Sequence, residues 1–511
     1  MTAPFRLDQT RFDTALKSVP GRYPAFIDGR AVEAADGRVL DRASPAHGKV
    51  VSRYAQAGRA ELDRALDAAR RAFDHGAWPR ASAGERSRVL HRAADRIEAK
   101  AEILATLDVL ESGKPISQAR AELQGAVDIW RYAAGLARDL HGESTQAMGE
   151  HKLGVVLRDP IGVVSIITPW NFPFLIVSQK LPFALAAGCT VVVKPSEMTS
   201  ASTLLLGEIL AEAGLPGGVC NILAGTGAEI GTPMTSDPRV DMVTFTGSTR
   251  VGKATMKAAA DTLKKVVMEL GGKNAQVIFP DCDREAAIDA AVFGAYFNAG
   301  ECCNAGSRLL VHRDYADEFV EAFVAESRKV RVGDPLDPAT QVGALISPQH
   351  LGLVQGHVTA ARDAGATLAL GGGRLDVDGG LFMEPTILNG VRPEMAVAHD
   401  EVFGPVVTVT TFETPEEAAA IANGIDYGLS ASVWSRDFDT CLTLSRKLRA
   451  GTVWTNTFMD GAAELPFGGF RQSGLGRELG RNAVADYTEE KTLHLHTGPR
   501  SGWWVPREGA A

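Results

Sequence analysis

The chain has no long hydrophobic run. Its longest apolar stretches, such as G-V-V-S-I-I at 162–167, are strand-length and far too short to span a bilayer. It also lacks any block of Lys and Arg, and its formal net charge is −9. That argues against a nucleic-acid partner, because phosphate backbones need concentrated basic side chains. The opening residues M-T-A-P-F-R-L-D-Q-T-R-F-D mix charges from the sixth position and contain no apolar signal core. These absences lead us to expect a soluble, cytoplasmic protein with no membrane or nucleic-acid contacts.

Paired cysteine motifs are missing too. Cys189, Cys220, Cys282, Cys302, Cys303 and Cys441 are scattered, with no C-x-x-C unit and no histidine ladder nearby, so no metal site is expected. A disulfide framework does not suit a large, unsecreted chain. The adjacent Cys302 and Cys303 cannot bridge each other without a strained backbone. A buried pair or a working nucleophile remains.

What is present is ordinary globular composition, 45% hydrophobic and 23% charged, over 511 residues. That length suggests two or three domains. Residues 56–141 read as helices: E-L-D-R-A-L-D-A-A-R-R-A-F at 61–73 and G-E-R-S-R-V-L-H-R-A-A-D-R-I at 84–97 carry apolar residues at helical spacing. From 154 the pattern changes to short β-rich runs separated by helical segments. The runs are V-V-S-I-I-T (163–168), T-V-V-V-K (190–194), V-C-N-I-L-A (219–224), M-V-T-F-T (242–246) and K-V-V-M-E-L (265–270). Continuous apolar strands alternating with helices indicate a doubly wound parallel sheet. A second series begins at 276 and continues through 308–312, 406–412, 431–434 and 452–456, which indicates a second α/β domain. No period of 20–50 residues recurs, which excludes a solenoid.

Several motifs sit at strand ends, where open α/β sheets bind ligands. T-F-T-G-S-T-R-V-G at 244–252 leads a strand into a helix, whose N-terminus attracts phosphate. G-T-G-A-E-I-G at 225–231 approaches the dinucleotide fingerprint without its spacing. K-P-S-E at 194–197 places a lysine and a glutamate at a strand end. In E-L-G-G-K at 269–273 a glutamate precedes two glycines that remove bulk, as a general base over a cavity would require. In P-W-N-F-P at 169–173 an asparagine held among aromatics and prolines can aim its amide at an oxyanion. Each alone also fits an ordinary turn.

Their order does not. Together with the G-E-C-C run, E-V-F-G-P-V at 401–406 and P-F-G-G-F-x-x-S-G-x-G-R-E at 466–478, they resemble the aldehyde dehydrogenase superfamily from about residue 25 to about 495. The resemblance implies an α/β protein with a Rossmann-like doubly wound NAD-binding domain (1–139 and 160–270) and a second α/β catalytic domain (271–472). A small β oligomerisation arm with its tail (140–159 and 473–511) would complete it. The same resemblance makes Cys303 the nucleophile and Cys302 an inert neighbour. It implies that Asn171 supports the oxyanion, Glu269 acts as base for the water that cleaves a thioester, and Lys180 and Glu478 relay protons. A glutamate at 269 points to release of a free acid rather than transfer to coenzyme A.

By the same resemblance the cofactor is NAD, with NADP possible. It would be held by Ile167, Thr168, Pro169, Trp170, Lys194, Ser196, Glu197, Gly227, Gly231, Phe245, Thr246, Gly247, Ser248, Val251, Leu270, Gly271, Glu401 and Phe403. Glu197 would accept hydrogen bonds from the adenosine ribose and repel a 2′-phosphate. The aldehyde tunnel would be lined by Phe172, Gln179, Gly125, Gly461 and Phe467. Ala121, Gly125, Gln179 and Gly461 stand where relatives often carry bulky aromatics, which implies a wide and polar tunnel. Glu122, Asp460 and Glu464 would stand near its entrance and attract a cationic head. The implied partners are a small-molecule aldehyde and further copies of the chain, as a dimer or tetramer. Trp503 and Trp504, in a Gly- and Pro-containing tail, are expected to be buried against something, most naturally an interface. The alternatives are a cysteine esterase without redox chemistry, which would leave K-P-S-E and the G-S-T loop without purpose, and a catalytically silent relative; for the substrate, a betaine or amino-aldehyde stands against a bulky aliphatic or aromatic aldehyde.

Overall fold

The computed structural model describes residues 5–499 and 504–505. Five parallel strands organise the first domain: β1 (Val163–Ile167), β2 (Thr190–Lys194), β3 (Cys220–Ile222), β4 (Met242–Thr246) and β5 (Lys265–Glu269). Their spatial order is 5-4-1-2-3, the Rossmann-type arrangement. Every residue of β1 and β2 is buried because helices cover both sheet faces, which is why these strands read as unbroken apolar runs. The helices expected at 61–73 and 84–97 are Arg59–Asp74 and Ala83–Ala99. The second begins with a capping box in which Ser82 and Glu85 satisfy each other's backbone N–H groups.

The second domain carries a seven-stranded sheet made of β6 (Ala275–Ile278), β7 (Arg308–His312), β8 (Thr367–Leu370), β9 (Thr386–Asn389), β10 (Val406–Phe412), β11 (Ser430–Trp434) and β12 (Thr452–Thr455). The order is 8-9-10-7-6-11-12, parallel except for the edge strand β8. A three-stranded antiparallel sheet of Glu143–Thr145, Lys152–Pro160 and Thr488–His496 forms the arm, with Lys152–Pro160 in the middle. Among the described residues, no helix is long and apolar enough to cross a membrane.

Two details depart from the sequence reading. Residues 473–487, expected in the arm and tail, are part of the first domain. Gly474–Leu475 pairs antiparallel with β5, extending its sheet, and Ala483, Val484 and Tyr487 lie in that domain's hydrophobic core. The backbone carbonyl of Tyr487 accepts from the Ile161 N–H at 3.0 Å. The arm therefore starts at Thr488. The second departure is Trp504, which is 94% exposed and covered by no described part of its own chain. Trp503 lies outside the described residues.

The revised boundary makes a direct prediction. Tyr487→Ala should destabilise the first domain by about 3–5 kcal/mol, the cost of emptying a buried aromatic site. Leu495→Ala, on the half-exposed arm strand, should cost less than about 1 kcal/mol. Urea denaturation of both variants checks this, and equal small losses would mean that 473–487 is a detachable tail.

Candidate active site

The expected site residues gather where the two domains face each other, at the C-terminal ends of the first sheet's strands. β1 leads into Ile167, Thr168, Pro169, Trp170 and Asn171, β2 ends at Lys194, and β5 ends at Glu269. Opposite them lies the loop 297–307, between helix Arg284–Tyr296 and β7. This loop is conformationally costly. Asn298, Ala299 and Gly300 have φ of 51°, 56° and 72°, three left-handed residues in succession, two of them with side chains.

Hydrogen bonds from both domains hold the loop in place. The Asn298 side-chain amide donates to the carbonyls of Asn171 (3.1 Å) and Glu301 (2.9 Å), and its backbone N–H donates to Gln118 Oε1 (3.1 Å). Asn171 Nδ2 donates to the same Glu301 carbonyl at 3.0 Å. An amide nitrogen has two hydrogens, so this bond fixes Asn171 beside the cysteines and leaves the second available. From the other side, Asn274 Nδ2 donates to the carbonyls of Cys303 (2.7 Å) and Ala305 (2.9 Å). Gly272 is required there, because a Cβ would stand 2.6 Å from the Cys303 carbonyl oxygen. The Glu301 carboxylate accepts from the Ile346 N–H at 3.0 Å.

The two cysteines have different surroundings. Cys302 is buried with Phe172, Ile176 and Ala305, whereas Cys303 remains partly accessible. The Cys302 thiol and burial push the Cys303 thiol up from its ordinary value, and the Glu401 and Glu269 carboxylates add to the effect. Glu269 is buried, and neither of its carboxylate oxygens has a hydrogen-bond partner. Burial raises it to about 8, against the opposing pull of Lys180 and Arg477. Lys180 is fully buried, ion-paired with Glu478, and donates to Thr244 Oγ1 at 3.1 Å. Burial lowers it to about 7, with Glu269 pulling the other way. Burial thus raises Glu269 and lowers Lys180, each toward neutrality.

The residues expected to hold a cofactor line the same edge. Lys194 Nζ is 3.3 Å from Glu197 Oε2, and a Cβ on Gly231 would stand 3.5 Å from the Lys194 side chain. Gly227–Gly231 forms one short π-turn capped by Thr226, and Ser196 lies in the turn after β2. Phe245 is buried under Gly247, and Thr246 ends β4. Ser248 caps the helix Thr249–Ala260 by accepting from the Val251 N–H at 3.4 Å, and Val251 is itself exposed. Leu270 is buried, bonded through its N–H to the Ser473 carbonyl. Glu401 accepts from the Gly272 N–H at 3.0 Å, lies directly against Gly271, and is raised by burial to about 7. Phe403, with φ of 57°, meets Trp170 edge-on at 5.4 Å between ring centroids.

On the presumed substrate side, Phe172 stacks on Phe297 with centroids 6.0 Å apart. Gln179 and Phe467 are half-buried, a Cβ on Gly125 would stand 4.0 Å from the Leu175 side chain, and Gly461 is exposed with open space around it. Glu122 differs from its expected role. It is buried, and both of its oxygens are bonded to Lys114 Nζ at 2.7 and 2.6 Å, so it is no free carboxylate at an entrance. Its helix, Ile116–Leu136, turns position 122 inward, where burial pushes the carboxyl up to about 7 against the opposing pull of the Lys114 ammonium. Asn274, Asn298, Glu301 and Lys114 were not singled out from the sequence. Asn298 and Glu301 stand in the N-A-G-E-C-C run itself, where polar residues next to a reactive thiol were the available signal.

Known proteins resemble nearly the whole chain. A family profile described as "Aldehyde dehydrogenase family" matches residues 32–493. Betaine aldehyde dehydrogenase of Bacillus subtilis is 39% identical over 482 residues, covering 94% of this chain and 98% of that protein. Aminoacetaldehyde dehydrogenase of Pseudomonas aeruginosa is 41% identical over 475 residues, covering 92% of this chain and 95% of that protein. Among solved structures, an NAD-dependent aldehyde dehydrogenase from Sinorhizobium meliloti superposes with a TM-score of 0.96 at 48% identity, covering 98% of this chain and 99% of that one. The Staphylococcus aureus betaine aldehyde dehydrogenase in complex with NAD+ gives 0.95 at 38% identity, covering 97% and 100%. On its ordered motifs, its strand-end site and these matches, the chain belongs to the aldehyde dehydrogenase family.

Proposed function

We propose that the protein oxidises an aldehyde to the free carboxylic acid, with NAD as acceptor and Cys303 as nucleophile. The observation that carries the reading is the buried, unpartnered carboxylate of Glu269, close enough to Cys303 for its charge to raise the thiol. The residues fit a dinucleotide. A capped helix N-terminus at Ser248 offers free N–H groups, the Lys194–Glu197 pair ends β2 as hydroxyl-binding polarity, and Glu401 stands against the bare backbone of Gly271. NAD+ in the Staphylococcus aureus relative supports the same choice. Glu197 opposes a 2′-phosphate electrostatically, which favours NAD over NADP.

Cys303 gives up its proton to water and attacks the carbonyl carbon, and the carbonyl oxygen takes the electron pair. The spare N–H of Asn171 and the Cys303 backbone N–H stabilise that oxyanion. NAD, when bound, would supply the hydride acceptor that oxidation of the thiohemiacetal to a thioester needs. Glu269 then takes a proton from water as the water attacks the thioester carbon, and returns it to the Cys303 sulfur as the C–S bond breaks and the acid leaves. Lys180, paired with Glu478, relays protons between Glu269 and the solvent.

Cys303→Ala should abolish aldehyde oxidation and Cys302→Ala should leave most of it. Glu269→Gln should produce about one equivalent of NADH in a burst and then stall as an acyl-enzyme, read by rapid-mixing absorbance and intact mass. Turnover of the Glu269→Gln variant at the wild-type rate would remove the hydrolytic role.

We further propose a cytoplasmic homo-oligomer, a dimer or tetramer. All six cysteines are free, as suits a reducing compartment. The outer arm strands, Glu143–Thr145 and Thr488–His496, have open edges that a second chain can pair, and Trp504 stands exposed beyond them. Light scattering of a chain ending at residue 487 should give a smaller species than the full chain. A full-length monomer at micromolar concentration contradicts the proposal.

A further inference from the structure

We infer that the site accepts uncharged aldehydes with an apolar tail and selects against aldehydes bearing a permanent cation; this rests on the aldehyde-oxidising reading. The argument starts from the pair Lys114–Glu122. Their side chains are 1% and 4% exposed, and Glu122 has no oxygen free of Lys114. The carboxylate that would have welcomed a cation is therefore already neutralised.

The partner ammonium has a second effect. Lys114 Nζ lies 4.3 Å from the centroid of Phe172, whose ring also stacks on Phe297 at an interplanar angle of 22°. An aromatic face that already carries one cation offers an incoming ammonium little quadrupole attraction, and the positive end of the Lys114–Glu122 pair is set against that ring. Phe172 belongs to an apolar cluster with Ile176, Cys302 and Ala305, against which the partly buried Leu175, Phe297 and Met459 pack. A trimethylammonium group entering there sheds water and gains no counter-charge, whereas a neutral tail of the same shape pays no such penalty. Asp460 and Glu464 do not offset this, because both are exposed to solvent and Asp460 already accepts from the Thr457 hydroxyl.

Two aldehydes of one shape isolate the charge: 3,3-dimethylbutanal and trimethylammonioacetaldehyde, compared with propanal on the full-length enzyme with NAD. We expect kcat/KM for dimethylbutanal to exceed that for the cation by about tenfold or more. Lys114→Met should narrow the gap several-fold by removing the charge behind Phe172. Glu122→Gln should widen it by leaving the ammonium unpaired. Cation turnover equal to or above that of its neutral twin overturns the inference, as does a ratio that ignores Lys114→Met. Oxidation of propanal alone overturns the claim of an apolar tail. NADH from none of the three overturns the oxidation reading instead, and the inference falls with it.

Discussion

A carboxylate without a partner at the end of a buried strand is the constraint on which the rest of the site depends. Glu269 ends β5 with both oxygens unbonded, where an ordinary buried acid would be paired or hydrogen-bonded. Its burial raises the carboxyl to about 8, and Lys180 and Arg477 limit that rise. Because the folded state binds this proton more tightly than the unfolded chain does, the group costs stability progressively as pH climbs from about 4.5 toward 8. That cost is carried at the C-terminal end of β5, on the edge where open α/β sheets bind ligands.

The two sheets supply the geometry around it. Parallel strands deliver the ends of β1, β2, β4 and β5 to one edge, so Asn171, Lys194, Ser248 and Glu269 face the second domain without further arrangement. The second domain answers with a loop held by bonds from both domains. Asn298 and Asn171 meet at the Glu301 carbonyl, and Asn274 pins the carbonyls of Cys303 and Ala305. The left-handed residues 298–300 would relax without these bonds, and Cys303 would lose its address.

Much of this was legible in the sequence, for physical reasons. β1 and β2 are buried on both faces, so they appear as V-V-S-I-I and T-V-V-V-K, and strand ends followed by Gly, Pro or Asn mark the ligand edge. The ordered motifs then gave the family. What stayed hidden was long-range pairing. Nothing in A-E-L-Q reveals that Glu122 turns inward onto Lys114, because helical periodicity cannot show which buried acid has a cation waiting. Gly474–Leu475 is too short to read as a strand, and it acquires one only because β5 presents an open edge. Asn274 follows a recognised motif, but its worth lies in reaching a loop 29 residues away in sequence.

The central claim is the displaced proton affinity of Glu269, and it can be measured without turnover. Infrared difference spectra of the wild-type enzyme minus Glu269→Gln, recorded across pH 4–10, isolate one carboxyl. A protonated C=O band that persists through pH 6 and disappears around pH 8 is the expected result. Ionisation near pH 4.5, the ordinary value for glutamate, would contradict the account.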